Sequence, residues 1–159
     1  MTNIKKLPNR VSKSRTIPEV IEHVAQMGTR EDKVALLKMY NTKTLRFVVD
    51  AMYNQEWTGV QIPVYVPNHR PVGICNMSLH NSLRRLEAAY KYRESNPEVT
   101  ARNLEIALTE MSADESALLV SIIEGRKVAG ISKAMWKEVY PDLFRFQESD
   151  AELETMDED

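Results

Sequence analysis

The sequence predicts an all-α chain, a compact bundle of about six or seven helices with one proline-rich extended strap between helices three and four. Three observations carry this. Apolar residues recur at helical spacing through most of the chain. Capping residues stand just before those runs. Pro63, Pro67 and Pro71 recur every four residues in a single stretch, and proline at that density forbids helix.

The elements follow in order. Residues 1–15 show no apolar periodicity and read as a flexible arm. Thr16, Pro18 and Glu19 form a capping signature before Ile17, Val20, Ile21, Val24 and Met27, and Gly28 is expected to stop the first helix. Thr29 and Asp32 open a second helix with Val34, Leu37 and Tyr40 on one face. Thr42 or Thr44 opens a third, with Leu45, Val48, Val49, Met52 and Tyr53 apolar. Residues 55–77 form the strap, in which a short edge strand is allowed. Ser78 opens a fourth helix through about Arg93, with Leu79, Leu83, Leu86, Ala89 and Tyr90 inward. Pro97 starts a fifth, and Ser112 or Asp114 caps a sixth that carries Leu118, Leu119, Ile122 and Ile123. Gly125 and Gly130 bracket a turn. A short seventh helix runs from Ile131 to about Val139 and ends at Tyr140-Pro141. No internal repeat or heptad is present.

The 159 residues carry a net charge of -2, which hides an asymmetry. Residues 148–159 hold seven acids and no base, so residues 1–147 carry 21 basic against 16 acidic side chains. Lys5, Lys6, Arg10, Lys13 and Arg15 make residues 1–15 a basic arm, residues 16–147 the helical domain, and residues 148–159 a disordered acidic tail. A basic body and arm suit a polyanion. The same termini also fit plain solubilising ends. A tail of this charge is expected to compete with a polyanion for the basic surface.

Several chemistries find no support. No apolar run approaches the ~20 residues of a membrane span, and no secretory leader is read at the N-terminus. One cysteine, Cys75, fits a reducing cytoplasm, or the host cytoplasm for a viral chain. Three scattered histidines complete no metal set, so neither metal nor other cofactor is expected. No Gly-rich phosphate loop, Lys-x-Asp-Gly, Gly-x-Ser-x-Gly or His-Glu-x-x-His occurs. Cys75 and His80 stand in no recognisable catalytic context. A non-catalytic binding role is the expectation, not an enzyme.

The most informative stretch is Glu124-Gly125-Arg126-Lys127-Val128-Ala129-Gly130-Ile131-Ser132-Lys133. Glycine permits close backbone approach. The helix start after Gly130 presents unpaired N–H groups suited to phosphate. Ser132 adds a hydroxyl, and Arg126, Lys127 and Lys133 add charge. Such a corner grips a nucleic-acid backbone without reading sequence. The same residues also fit an ordinary helical corner with exposed bases. On the fourth helix, Arg84, Arg85, Lys91 and Arg93 fit phosphate contacts or the wet face of an amphipathic helix.

The segment Gly130-Ile-Ser-Lys-Ala-Met-Trp136-Lys-Glu-Val139-Tyr140-Pro141-Asp-Leu143 resembles the end of the N-terminal DNA-binding domain of tailed-phage-type ATP-dependent DNA ligases. Ile21 to Thr29, Lys33, Ala35 to Leu37, and Leu45 to Tyr53 are similar to its opening helices. The resemblance covers roughly residues 17–146 and is patchy in the middle. It implies an all-helical domain that holds duplex DNA through backbone contacts along the minor groove. Gly130, Ser132, Thr29 and Lys33 are the matching positions. The nucleotidyltransferase and OB-fold domains of such ligases have no counterpart, so a stand-alone relative is expected. It would be an accessory of DNA replication or repair that binds double-stranded DNA, nicked duplex included. The expected contacts are Thr29, Arg30, Lys33, Arg84, Arg85, Arg126, Lys127, Gly130, Ser132 and Lys133. The alternative is a phage-type interaction or inhibitor module that keeps the fold and binds a replication or host protein through its acidic tail or a helical face.

Overall fold

The computed structural model describes residues 16–71 and 74–144. The basic arm, the acidic tail and the boundary near residue 147 lie outside the described residues. Within them the chain is all-helical, with seven α-helices and no strand.

The caps act largely as their chemistry dictates. Thr16 heads α1 (Ile17–Ala25) in a complete capping box with Glu19. Thr29 caps α2 (Arg30–Met39), and Thr42 caps α3 (Lys43–Asn54). Thr44, the other candidate, is buried and pairs with His80 instead. Asn96 caps α5 (Pro97–Glu110), Ser112 rather than Asp114 caps α6 (Ala113–Ile123), and Ser132 caps α7 (Lys133–Val139). A 3₁₀ turn, Pro141–Phe144, follows at once.

Three local expectations change. Gly28 does not terminate α1, which ends at Ala25 with Gln26 as its cap. The fourth helix begins with a 3₁₀ turn, His80–Ser82, before α4 (Leu83–Lys91). Ser78 and Asn81 hydrogen-bond to each other, and the Ser82 hydroxyl donates to Ser78 O (2.9 Å), which tightens that first turn. The seventh helix starts two residues later than expected. Ile131 precedes the cap and, with Trp136, fills the two positions of a hydrophobic staple, both buried.

The packing order explains how distant segments meet. The α4 helix packs on α5, and α5 on α6. The α6 helix also touches α1 and α3, and α1 packs on α2. The last helix, α7, returns to α2. The buried apolar residues form one contiguous core, from Ile17 to Phe144. Trp136 and Phe144 lie wholly inside it, and Trp57 is nearly so.

The strap crosses this bundle without pairing as a strand. Prolines remove donors at three positions, and the segments beneath it are helices whose backbone groups are already used. Side chains and ends hold it instead. Trp57 packs against Tyr90 at a 58° tilt with centroids 5.1 Å apart, and the Glu56 amide donates to Tyr90 Oη (3.0 Å). Farther on, the Ala113 amide donates to Asn68 O (2.9 Å), and the Leu79 amide donates to the buried Glu115 carboxylate (2.8 Å). Val64 and Val66 between these anchors are 94% and 79% exposed.

Candidate nucleic-acid interface

Two helix starts meet here, and each is built by its own cap. At the first, the Asp32 amide donates to Thr29 Oγ1 (3.1 Å), which places Arg30 and Lys33 in the first turn of α2. At the second, Gly130 holds φ +85°, a left-handed conformation open to glycine, and the Met135 amide donates to Ser132 Oγ (3.3 Å). The Lys33 ammonium donates to the carbonyl of Gly130 at 2.8 Å. That one bond ties the two corners into a single exposed surface. Thr29, Gly130 and Ser132 all face solvent.

Gly130 is needed for a second reason. A Cβ there would stand 2.7 Å from the Cβ of Ala25 at the end of α1. The corner is therefore set by close approach of α1 as well as by backbone torsion.

The remaining bases gather beside it. Lys127 donates to the carbonyl of Met52 and lies 5.0 Å from the Tyr53 ring centroid. Lys133 stands 6.0 Å from the ring centroids of both Tyr53 and Phe144. Tyr53 and Phe144 pack at a 57° tilt with centroids 5.2 Å apart, so two ammonium groups border one aromatic pair. Burial pushes the Tyr53 hydroxyl above its ordinary range. Arg30 faces Glu138 (3.8 Å), Arg126 pairs with Glu124, and Arg46 pairs with Asp142. The hydrogen bond it donates to Asp142 raises the pKa of the Arg46 guanidinium above its ordinary value. Exposed pairs of this kind hold their partners by only about 0–1 kcal/mol.

The structure thus gathers Thr29, Arg30, Lys33, Gly130, Ser132 and Lys133 at or beside one corner, with Lys127 close by. Arg126 lies on the same connection but is turned to Glu124. Arg84 and Arg85 belong to α4, which packs on α5, and are not among the groups that the Lys33–Gly130 bond collects. Arg84 is exposed, whereas Arg85 is half-buried and donates to Asn103 Oδ1 (3.2 Å). The band is mixed in sign, since Glu31, Asp32, Glu124 and Glu138 interleave with the bases.

Sequence reading missed Arg46 and Tyr53 as parts of this surface, and Phe144 as the buried ring beneath it. Tyr53 signalled only an apolar helical position, and its two lysine neighbours come from segments far along the chain. Next to this surface, an open cleft of about 480 Å³ lies between the end of α3, the start of the strap and the end of α6. Met52, Trp57, Val60, Ile62 and Ile122 line it, and Lys127 stands in its wall.

Other chemistry is sparse. His80 Nδ1 hydrogen-bonds with Thr44 Oγ1 (2.9 Å), and Cys75 Sγ faces the carbonyls of Arg70 and Pro71, so each of this pair is engaged elsewhere. Among the described residues, no three His, Cys, Asp or Glu side chains gather as a metal site, and no helix is long and apolar enough to cross a membrane.

Tyr140 lies under Arg46, with its hydroxyl buried and without a hydrogen-bond partner among the described residues. Burial pushes its pKa up to about 12 from the ordinary 10. The neutral phenol is the form the fold retains. Stability linked to it is therefore complete below pH 10 and falls as pH rises toward about 12, because the unfolded chain ionises first. Denaturant titrations across that window should show a steeper alkaline loss for the native sequence than for Tyr140→Phe. Equal slopes would remove Tyr140 as the cause.

Comparison with protein-family models, with curated proteins and with solved structures finds no match to this chain.

Proposed function

We propose that this chain binds the sugar-phosphate backbone of double-stranded DNA with little sequence preference and performs no covalent chemistry of its own. The observation that carries the reading is the bond from Lys33 to the Gly130 carbonyl. It brings two capped helix starts and their bases to one solvent-facing surface, the arrangement a phosphate chain can follow. The carboxylates that interleave with the bases do not forbid this. An exposed ion pair is weak, so a phosphate can take the place of Glu138 or Glu124 at small cost. The resemblance of Gly130–Leu143 to the ligase DNA-binding domain supports the same reading, with an accessory role in replication or repair.

The test is a duplex titration at two salt concentrations, repeated with nicked duplex and single strand. Affinity should fall with salt with a log–log slope of about -0.9 per phosphate neutralised. Lys127→Ala with Lys133→Ala should weaken binding to all duplex sequences alike and make that slope shallower by about 1 to 2. Binding weaker than about 10⁻⁴ M at low salt rejects the proposal.

A second reading rests on the strap. Val64, Val66 and Ile74 stand exposed, and an exposed apolar stretch favours a protein partner. An interaction module for a replication or host protein would use this side of the molecule. Absence of duplex binding, together with a co-purifying protein that is lost on Val64→Lys with Val66→Lys, would favour this reading over the first.

A further inference from the structure

We propose that two copies of this chain associate by pairing their straps edge to edge, as a short antiparallel ribbon centred on Tyr65. The pairing is independent of the duplex reading. It takes the same side of the molecule as the second reading and names a second copy of this chain as the partner.

The first observation is an open backbone. The chain runs from Val60 to His69 with no turn or bend. Among the described residues, nothing hydrogen-bonds to the main-chain groups of residues 61–67. The flanking main-chain bonds run from the Val60 amide to Trp57 O and from the Ala113 amide to Asn68 O. Exposure alternates between them as in a strand, with Val64 and Val66 outward and Tyr65 packed toward the core. A straight run of unpaired N–H and C=O groups is a template for another strand. Proteins commonly blunt such a run with charge, yet Trp57 to Asn68 contains no acidic or basic side chain.

The second is where the prolines fall. In an extended strand the N–H groups of alternate residues point to opposite edges. Pro63 and Pro67 stand four apart, so both remove a donor from the edge that Tyr65 shares. Val64 and Val66 supply the other edge, and both keep their N–H. The strap therefore has one edge fit to be joined.

The third is symmetry. Pro63-Val64-Tyr65-Val66-Pro67 reads the same in both directions. A two-fold interface must be self-complementary, since each copy offers the same patch to the other. Antiparallel pairing centred on Tyr65 sets Val64 against Val66 of the second copy, and Val66 against its Val64. These are the hydrogen-bonded pairs, each exchanging both main-chain bonds. Pro63 then stands opposite Pro67 of the second copy, at a non-hydrogen-bonded pair where no N–H is called for. The valines also meet across the ribbon, a favourable pairing of β-branched side chains.

Sedimentation equilibrium of the full-length chain tests this. The ribbon belongs with small transient interfaces below about 1,200 Å², so the expected dissociation constant lies between about 1 μM and 1 mM. Charge variants read the register. Val64→Lys with Val66→Lys, and Val64→Glu with Val66→Glu, set like charges opposite one another and should each weaken association about tenfold or more. An equal mixture of the two should dimerise again. Val64→Lys with Val66→Glu sets opposite charges across both pairs, so that chain should dimerise alone, at least as well as the native one. Proline variants read the edge. Val64→Pro removes a donor from the ladder and should abolish the dimer, whereas Gln61→Pro removes one outside these pairs and should leave it unchanged. Gln61, Val64 and Val66 are exposed, so every variant should unfold near the native temperature.

A native chain that stays monomeric up to about 1 mM overturns the proposal. So does a dimer that survives both like-charge variants, because it lies elsewhere on the molecule. A dimer that survives Val64→Pro joins valine faces rather than backbone edges and also overturns it. Assembly beyond two copies does the same, since a two-fold ribbon closes on itself. Duplex affinity enters none of these outcomes, so failure here leaves the duplex reading standing.

Discussion

A Gly130→Ala chain is expected to lose about 3 kcal/mol of stability, a large share of the 5–15 kcal/mol that holds a domain of this size. Two effects add. An L-residue in the left-handed region costs about 1–2 kcal/mol, and Gly130 sits at φ +85°. The new methyl would also stand 2.7 Å from the Ala25 Cβ. Relief requires α7 to back away from α1, an overpacking cost of about 1–3 kcal/mol. Gly125 is the control, because it has φ +81° with nothing within 4 Å of a built Cβ. Gly125→Ala should cost only the torsional part, about 1–2 kcal/mol. In thermal unfolding the Gly130 chain should fall by about 6–12 °C, given about 2–4 °C per kcal/mol at this chain length. Equal losses at the two glycines would show that close approach to α1 is not what position 130 requires. Duplex affinity should drop with Gly130→Ala, because the Lys33 bond is anchored on that carbonyl.

The second large effect lies at Glu115. Its side chain is 2% exposed, accepts the Leu79 amide at 2.8 Å through Oε2 and the Ser112 hydroxyl at 2.9 Å through Oε1. This carboxylate joins the end of the strap to the start of α6. Glu115→Ala leaves a buried N–H without a partner, at about 1–3 kcal/mol, and opens a void besides. The expected loss is about 3 kcal/mol. Glu115→Gln keeps the shape and an oxygen for the Leu79 amide, so it should cost about 1 kcal/mol. Hydrogen exchange provides a local reading. The Leu79 amide should exchange about a hundredfold faster in the alanine chain, at tenfold per 1.4 kcal/mol. An unchanged Leu79 amide would mean that the strap is fastened elsewhere.

The helices were legible because their signals are local. Thr16 with Glu19, Thr29 and Ser132 each satisfy N–H groups within four residues of themselves, so the pattern alone reports them. Where several side chains compete, the pattern misleads. The pattern at Ser78 fits the opening of an α-helix, but Asn81 and Ser82 engage it and tighten the turn to 3₁₀. The allowed edge strand failed for a tertiary reason, since only helices lie beneath the strap. The candidate surface was legible as a set of residues and not as an arrangement. Lys33 and Gly130 stand 97 residues apart. Nothing in either segment announces that α7 packs on α2, or that Arg85 is drawn inward toward Asn103.

That separation has a bearing on biosynthesis. A protein emerges from the ribosome from its N-terminus, at about 5–20 residues per second. The α2 corner is made early, yet its Lys33 has no Gly130 to hold until α7 has followed. Six helices can begin to pack while the tunnel still withholds the seventh. The surface therefore comes into being only after α7 has been made, and a nascent or truncated polypeptide lacking α7 carries Lys33 but neither Lys133 nor the second capped corner.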